Sequence, residues 1–156
     1  MILSKESIEK VLQEIVDKFL IPKFKDLGMN ASGRWIDSLE VEFDGNGYIK
    51  GEDYTKYLVE GRPPNNMSEL EMRNWAVYYG RTVIKDWADS KGITIDPIAI
   101  AYKIAREGTN YYPNGTDLLE VLQSKEVTDY FNERVTGLMI VNVQAQFENV
   151  FKELNK

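Results

Sequence analysis

The spacing of apolar residues at the start of the chain predicts a long amphipathic helix. From residue 4 to 28, apolar side chains return every three or four positions, which is the spacing of one helix face. Ser4 occupies the N-cap position and Gly28 the position after the last helical residue. Because Pro22 removes a backbone donor inside this pattern, it predicts a kink or a split near Leu20.

The end of the chain predicts a second long helix, over residues 126–154. Apolar residues recur there every three or four positions, and no turn signal interrupts them. Residues 137–147, however, are rich in β-branched side chains, which leaves a strand as the alternative for that stretch. The helical spacing of the flanking polar residues favours the helix.

The centre of the chain carries the strongest β signal. Residues 38–44 alternate apolar and polar side chains, which is the period of a half-buried strand. Residues 45–47 (Gly-Asn-Gly) suit a tight turn, with Gly47 expected at positive φ, and residues 48–50 form the return strand. The sequence therefore predicts a β-hairpin over residues 38–52.

The region from 53 to 125 predicts several short helices. Capping residues and terminating glycines place helices at 53–60, from Ser68 onward, from Asp96-Pro97 to Gly108, and at 118–122. The whole pattern, 1–156, predicts a single α+β domain. A central antiparallel hairpin sheet would be packed by helices, with the long helices at the two ends.

The composition of the chain excludes several classes of catalytic and metal-binding site. The 156 residues carry a net charge of −6 and include neither Cys nor His. Thiolate nucleophiles, Ser-His-Asp triads and the usual structural zinc sites are therefore excluded. The acidic balance argues against a dedicated nucleic-acid-binding surface. No apolar run is long enough to span a bilayer, which predicts a soluble protein with no membrane partner. We expect no catalytic residue, no cofactor and no metal.

Residues 42–53 form the one motif that suggests a ligand, a calcium ion. Their centre resembles an EF-hand loop, in which the calcium ligands would be Asp44, Asn46, Tyr48 through its carbonyl, and Asp53. Glu42 stands where Asp is usual, and the incoming segment alternates like a strand. The ordinary interpretation is hairpin turn chemistry, and a calcium-binding module remains the alternative function.

The order of segments is similar to that of the tail-completion, or neck, proteins of tailed bacteriophages. The resemblance covers about residues 1–125 and is carried by the following segments: Ala31-Ser32-Gly33-Arg34, Asp37-Ser38-Leu39-Glu40-Val41, Tyr54-Thr55-Lys56-Tyr57-Leu58-Val59-Glu60-Gly61-Arg62-Pro63-Pro64, Ile84-Lys85-Asp86-Trp87-Ala88-Asp89-Ser90-Lys91-Gly92-Ile93, Ile98-Ala99-Ile100-Ala101-Tyr102-Lys103-Ile104-Ala105-Arg106-Glu107-Gly108-Thr109 and Asp117-Leu118-Leu119-Glu120-Val121-Leu122.

The resemblance implies a non-enzymatic virion structural protein. Copies of the chain would form a ring, the head–tail connector, around the DNA channel between the portal–adaptor assembly and the tail. The partners would be other copies, portal or adaptor proteins, tail proteins and passing DNA that is not read by sequence. Such a protein is made in the host bacterial cytoplasm and ends in the virion. Its acidic balance suits a channel through which DNA slides.

Two loops are the best candidates for contacts between copies in such a ring. They span residues 61–66 and 110–115, and both follow predicted helix ends. Proline fixes their backbones, so little entropy is lost on binding, and Arg or Tyr supplies an anchor. The candidate interface residues are Glu60, Gly61, Arg62, Pro63, Pro64, Asn65, Tyr111, Tyr112 and Pro113.

Overall fold

The computed structural model describes residues 3–30 and 32–154; Ala31 of the resemblance and the ends of the predicted 1–156 domain lie outside them. The described chain contains helices α1 Lys5–Ile15, α2 Ile21–Asp26, α3 Arg34–Asp37, α4 Thr55–Glu60, α5 Glu69–Tyr79, α6 Lys85–Lys91, α7 Pro97–Glu107 and α8 Lys125–Leu154. It also contains strands β1 Glu40–Phe43 and β2 Gly47–Lys50, π-helical segments Val16–Leu20 and Gly80–Ile84, and a 3₁₀ helix Glu120–Gln123. The predicted α+β class is confirmed.

Two compact units are built from alternating segments of the chain. The first, called unit 1 here, comprises residues 3–23, 39–50 and 119–154. The second, unit 2, comprises residues 24–30, 32–38 and 51–118. Because the segments alternate, neither unit is a contiguous stretch that could be cut out of the sequence as a separate domain.

The N-terminal helical region begins as predicted and changes geometry before Pro22. The Ser4 hydroxyl accepts a hydrogen bond from the Ser7 amide, which makes Ser4 the N-cap of α1. The split predicted near Leu20 is confirmed, because the π-helical segment Val16–Leu20 separates α1 from α2. A proline ring collides with the carbonyl four residues earlier in an α-helix, and the wider π turn lies where that collision would occur.

The end of α2 is a helix stop of the Schellman type. The Gly28 amide donates to the Lys25 carbonyl at 2.9 Å, and the Met29 amide donates to the Phe24 carbonyl at 3.3 Å. Gly28 has a φ of 69°, the left-handed value that this motif requires. The position predicted for Gly28 is therefore confirmed.

The core of unit 1 joins the two ends of the sequence. Val11 and Ile15 of α1 are buried against Val127 of α8, and partly buried apolar residues surround them. The Glu14 carboxylate accepts two hydrogen bonds from the Arg134 guanidinium, at 2.7 and 2.8 Å, and one from the Tyr130 hydroxyl at 2.8 Å. These bonds, led by Arg134, lower the pKa of Glu14 to about 2.

The hairpin lies where the sequence predicts it, with a different turn geometry. β1 and β2 pair antiparallel, with Glu40 opposite Lys50 and Phe43 opposite Gly47. The positive φ expected at Gly47 is wrong: Gly47 begins β2, and the turn places the positive φ of 109° at Gly45. The Phe43 amide donates to the Glu9 carboxylate at 3.0 Å, so α1 supports the hairpin from one side.

The helices of unit 2 bury small residues, namely Ala76 in α5, Ala88 in α6, and Ala101 and Ala105 in α7. α5 begins with a capping box between Ser68 and Glu71, and α7 begins with Asp96 accepting from the Ile98 amide. At Gly80, an added Cβ would lie 2.6 Å from the Ile98 Cα, so the backbones there approach closely. Gly80 begins a π-helical segment, and the chain stays helical through α6.

α8 settles the ambiguity at the end of the sequence. Residues 137–147 are helical, in agreement with the favoured prediction and against the strand alternative. The predicted short helix over residues 118–122 is wrong in type and in position, since the chain forms a 3₁₀ helix over Glu120–Gln123.

Candidate interaction surface

The two predicted interface loops lie side by side in unit 2. We call residues 61–66 and 110–115 the paired loops. The Arg62 amide donates to the Thr109 hydroxyl at 2.9 Å, and the Thr109 amide donates back to the Arg62 carbonyl at 2.9 Å. At the other end, the Thr116 amide donates to the Val59 carbonyl at 2.7 Å. Segments about fifty residues apart are thus joined by backbone bonds.

Gly61 is the point of closest approach between the paired loops. It has a φ of 78°, and a Cβ at this position would lie 2.4 Å from the Tyr112 nitrogen. No side chain fits there without moving the backbone of the second loop. Gly61 is therefore buried and serves to bring the loops together, although the sequence indicated it as a contact residue.

The sequence predicts Arg62 as an anchor for a partner, but its side chain is mainly engaged with residues of its own unit. Its guanidinium lies 4.8 Å from the centre of the Trp75 ring, and its Nη2 donates to the Asn65 side chain at 2.6 Å. The buried Nη1 has no hydrogen-bond partner among the described residues. The backbone N–H of Asn65 donates to the Ala105 carbonyl at 2.7 Å, which joins the loop to the end of α7. Arg62 and Asn65 therefore shape the loop as well as line it.

The paired loops leave proline, tyrosine and asparagine side chains in solvent, and Glu60 is exposed beside them. Glu60, Pro63, Pro64, Tyr112 and Pro113 are exposed, and Tyr112 is 41% exposed. An open cleft of about 240 Å³ lies beside them and is lined by Tyr57, Arg62, Pro63, Pro64, Asn65, Asn66 and Met67. The surface combines flat apolar rings with a rigid backbone, which is a suitable composition for binding another protein.

Tyr111 connects the surface to the end of α2. Its hydroxyl donates to the Leu27 carbonyl at 3.1 Å, one of the carbonyls left free by the last helical turn. The neighbouring Gly28 carbonyl accepts from the Lys91 ammonium at 2.7 Å. Tyr111 thus combines a structural bond with partial exposure, and Tyr112 is the freer of the two tyrosines.

The residues that lock the paired loops were missed from the sequence. Thr109 and Thr116 each follow a glycine, so the second loop is bounded by two Gly-Thr pairs, Gly108-Thr109 and Gly115-Thr116. Each threonine places its amide on the carbonyl of a residue near Gly61, and Thr116 also donates its hydroxyl to Leu58 at 2.8 Å. The repeated Gly-Thr pair was the available signal. No sequence pattern of this kind marks Trp75, whose ring contacts the Arg62 guanidinium.

The alternative calcium ligands occupy a hairpin. Asp44 and Asn46 lie in the turn, where the Asn46 amide donates to the Asp44 carboxylate at 3.3 Å. Tyr48 lies in β2, while Asp53 belongs to unit 2. An EF-hand loop is flanked by two helices, whereas this loop is flanked by β1 and β2. Calcium binding thus remains an alternative that lacks the usual structural context.

The described part of the chain has neither a metal-binding cluster nor a membrane-spanning helix. Over residues 3–30 and 32–154, no group of three or more carboxylate side chains is arranged to hold a metal ion. Within the same residues, every helix is too short or too polar to cross a membrane.

Neither the protein-family models, nor the curated proteins, nor the solved structures contain a match to this chain.

Proposed function

We propose that this protein is a non-enzymatic structural subunit of a tailed-phage virion, and that it forms part of the neck ring between portal and tail. The assignment to a virion comes from the resemblance of the sequence to tail-completion proteins. The observation that supports an assembling role is the pairing of the two loops, which presents Pro63, Pro64 and Tyr112 on a backbone held by reciprocal bonds.

The rigidity of this surface is what makes it suitable for repeated contacts in a ring. A loop that is already ordered loses little conformational entropy when it binds, so more of the contact energy contributes to affinity. A ring also requires two different complementary patches on each subunit, because its contacts are head to tail. The paired loops would supply one of these patches.

The charge of the chain fits a position around DNA that must move. With 25 acidic and 19 basic side chains, the subunit is acidic, and copies in a ring would present a negative field to the DNA phosphates. A channel lining that repels phosphate would not retain the DNA by counterion release, the main source of non-specific binding.

The first test asks whether the protein is present in virions. Purified particles are analysed by quantitative mass spectrometry, and electron microscopy of the purified protein is used to look for closed rings. We expect a fixed copy number per particle. If particles contain no copies of the chain, the neck proposal is wrong.

The second test asks whether the paired loops are the contact surface. Particles that lack the protein are supplemented with wild type, with Pro63→Ala combined with Tyr112→Ala, or with Tyr48→Ala. Tyr48 is a matched control, since it is 42% exposed and lies on the hairpin. We expect the double variant to keep its fold and to fail to join the particle, while the control is incorporated. Normal incorporation of the double variant would contradict the site assignment only.

A further inference from the structure

The second half of α8 carries an apolar stripe that is exposed to solvent. The stripe comprises Ile140, Val143, Phe147, Val150 and Leu154, and it is called the distal stripe here. Its members are 38–75% exposed. They are spaced by three, four, three and four residues, which is the a and d spacing of a helix that packs against another helix.

The distal stripe is not a continuation of the face by which α8 packs onto its own unit. In the first half of α8, Val127, Phe131 and Leu138 pack against the core of unit 1. Continuing that face at the same spacing leads to Val141, Ala145, Glu148 and Lys152, two of which are charged. At about 100° per residue, the distal stripe lies roughly half a turn away from that face.

No charged residue of this half lies within the stripe. Residues 139–154 contain only Glu148, Lys152 and Glu153 as charged side chains. Glu148 and Lys152 lie four residues apart on the opposite side of the helix, and Glu153 lies beside the stripe without interrupting it. A helix with one uncharged apolar face and its charges opposite is patterned to pack against a partner.

An identical helix is the partner that this pattern fits best. When two copies of one segment pack in parallel and in register, each charge on the contact face meets a like charge, and such pairs are destabilising. The distal stripe has no charge to create that repulsion, although the whole chain carries a net charge of −6. Its residues are also spaced to insert between the same residues of a second copy.

We propose that the distal stripe is a self-association site, on which a second copy of this chain packs its own residues 140–154. Met139 and Phe151 border the stripe on its two edges and widen the apolar face. A widened face accommodates more than one neighbouring helix, so the site allows an assembly larger than a pair. The association is a property of the purified chain and does not rest on the neck proposal.

The first test measures mass as a function of concentration. Sedimentation equilibrium of the full chain, from micromolar to near-millimolar concentration, is expected to show multiples of the 18.0 kDa chain. Phe147→Asp places a charge in the stripe and is expected to weaken association by about tenfold or more. The matched control is Ala145→Asp, which places the same charge on the opposite side of the same turn and should leave association unchanged.

A second measurement localises the contact without any substitution. Hydrogen exchange of the wild-type chain is compared at low and high concentration, and we expect slower exchange at high concentration within residues 139–154. Circular dichroism of both variants checks that the helix is retained. A chain that stays monomeric throughout, equal weakening by the two variants, or concentration-dependent protection outside this segment would each overturn the proposal. Binding of a monomeric chain to phosphatidylcholine vesicles would overturn it in favour of a lipid surface.

Discussion

The hairpin turn of unit 1 and the paired loops of unit 2 are both rich in glycine, but they are held in different ways. In the paired loops, a Cβ on Gly61 would meet the backbone of Tyr112 at 2.4 Å. In the hairpin, a Cβ on Gly47 would meet the side chain of Leu12 at 3.2 Å, and a Cβ on Gly45 would meet no atom within 4 Å. One turn is fixed by backbone against backbone, and the other is supported by side chains.

This difference determines how each region responds to change. A side chain such as Leu12 can change rotamer to make room, whereas two backbones joined by reciprocal hydrogen bonds cannot separate without losing those bonds. The paired loops should therefore tolerate changes to their exposed rings and very few changes to their glycines. The hairpin should tolerate substitution in its turn, while its support from α1 is the more sensitive part.

The largest effect is expected for Gly61→Ala. The added Cβ would overlap the Tyr112 backbone, and the residue would have to keep a φ of 78°, so we expect a loss of about 3 kcal/mol or more in the free energy of unfolding. Chemical denaturation measures it. Gly45→Ala, at a positive φ with open space around it, is the control and should cost about 1 kcal/mol. Equal losses would remove the distinction between the two regions.

A smaller loss is expected for Glu14→Gln, which tests the support of unit 1. The substitution removes a charge that accepts two bonds from Arg134, and we expect a loss of about 1–2 kcal/mol at neutral pH, reduced by the partial exposure of the pair. Thermal unfolding at neutral pH measures the change. Arg73→Gln breaks an exposed pair with Glu69 and is a control that should change stability little.

The same pair predicts a pH dependence. The pKa of Glu14 is lowered from 4.5 to about 2 in the folded chain, so its contribution is complete above pH 4.5 and is lost as the pH falls towards 2. The difference in stability between wild type and Glu14→Gln should therefore shrink over that interval. A difference that stays constant down to pH 2 would show that the charge of Glu14 is not responsible.

Gly47→Val should have a modest effect, through a mechanism different from the one the sequence suggests. Gly47 begins β2 and has no positive φ, so valine is compatible with its backbone, and the cost comes from displacing Leu12. We expect a loss of about 1 kcal/mol, or a few degrees in melting temperature. Combining it with Leu12→Ala tests the cause, because the two losses should then be less than additive.

The smallest effect is expected from calcium. The hairpin turn offers the Asp44 carboxylate, which already accepts from the Asn46 amide, and calcium prefers six to eight oxygen ligands. Millimolar calcium should leave the melting temperature unchanged, as should millimolar magnesium. A rise of several degrees that Asp44→Ala abolishes would make the calcium-binding alternative the better function.

Local signals in the sequence predicted the elements well. Ser4, Ser68 and Asp96 each act through their nearest neighbours, and their caps lie where the sequence places them. The candidate surface was predicted only in part. The two loops and their exposed rings follow from Pro and Tyr in segments after helix ends, but the contact between the loops depends on Thr109, and the position of Arg62 depends on Trp75. No local rule connects those residues to Arg62, because they are distant from it in sequence.

The way α1 and α8 pack also determines when unit 1 can fold. Glu14 and Arg134 are 120 residues apart, and Val11 and Ile15 are covered in part by Val127. During synthesis, the apolar face of α1 therefore remains uncovered until α8 has left the ribosome. Contacts of such long range slow folding, since the intervening chain must be ordered before they form. Unit 2, which is complete at residue 118, can fold first, and α8 then closes unit 1 as the last step.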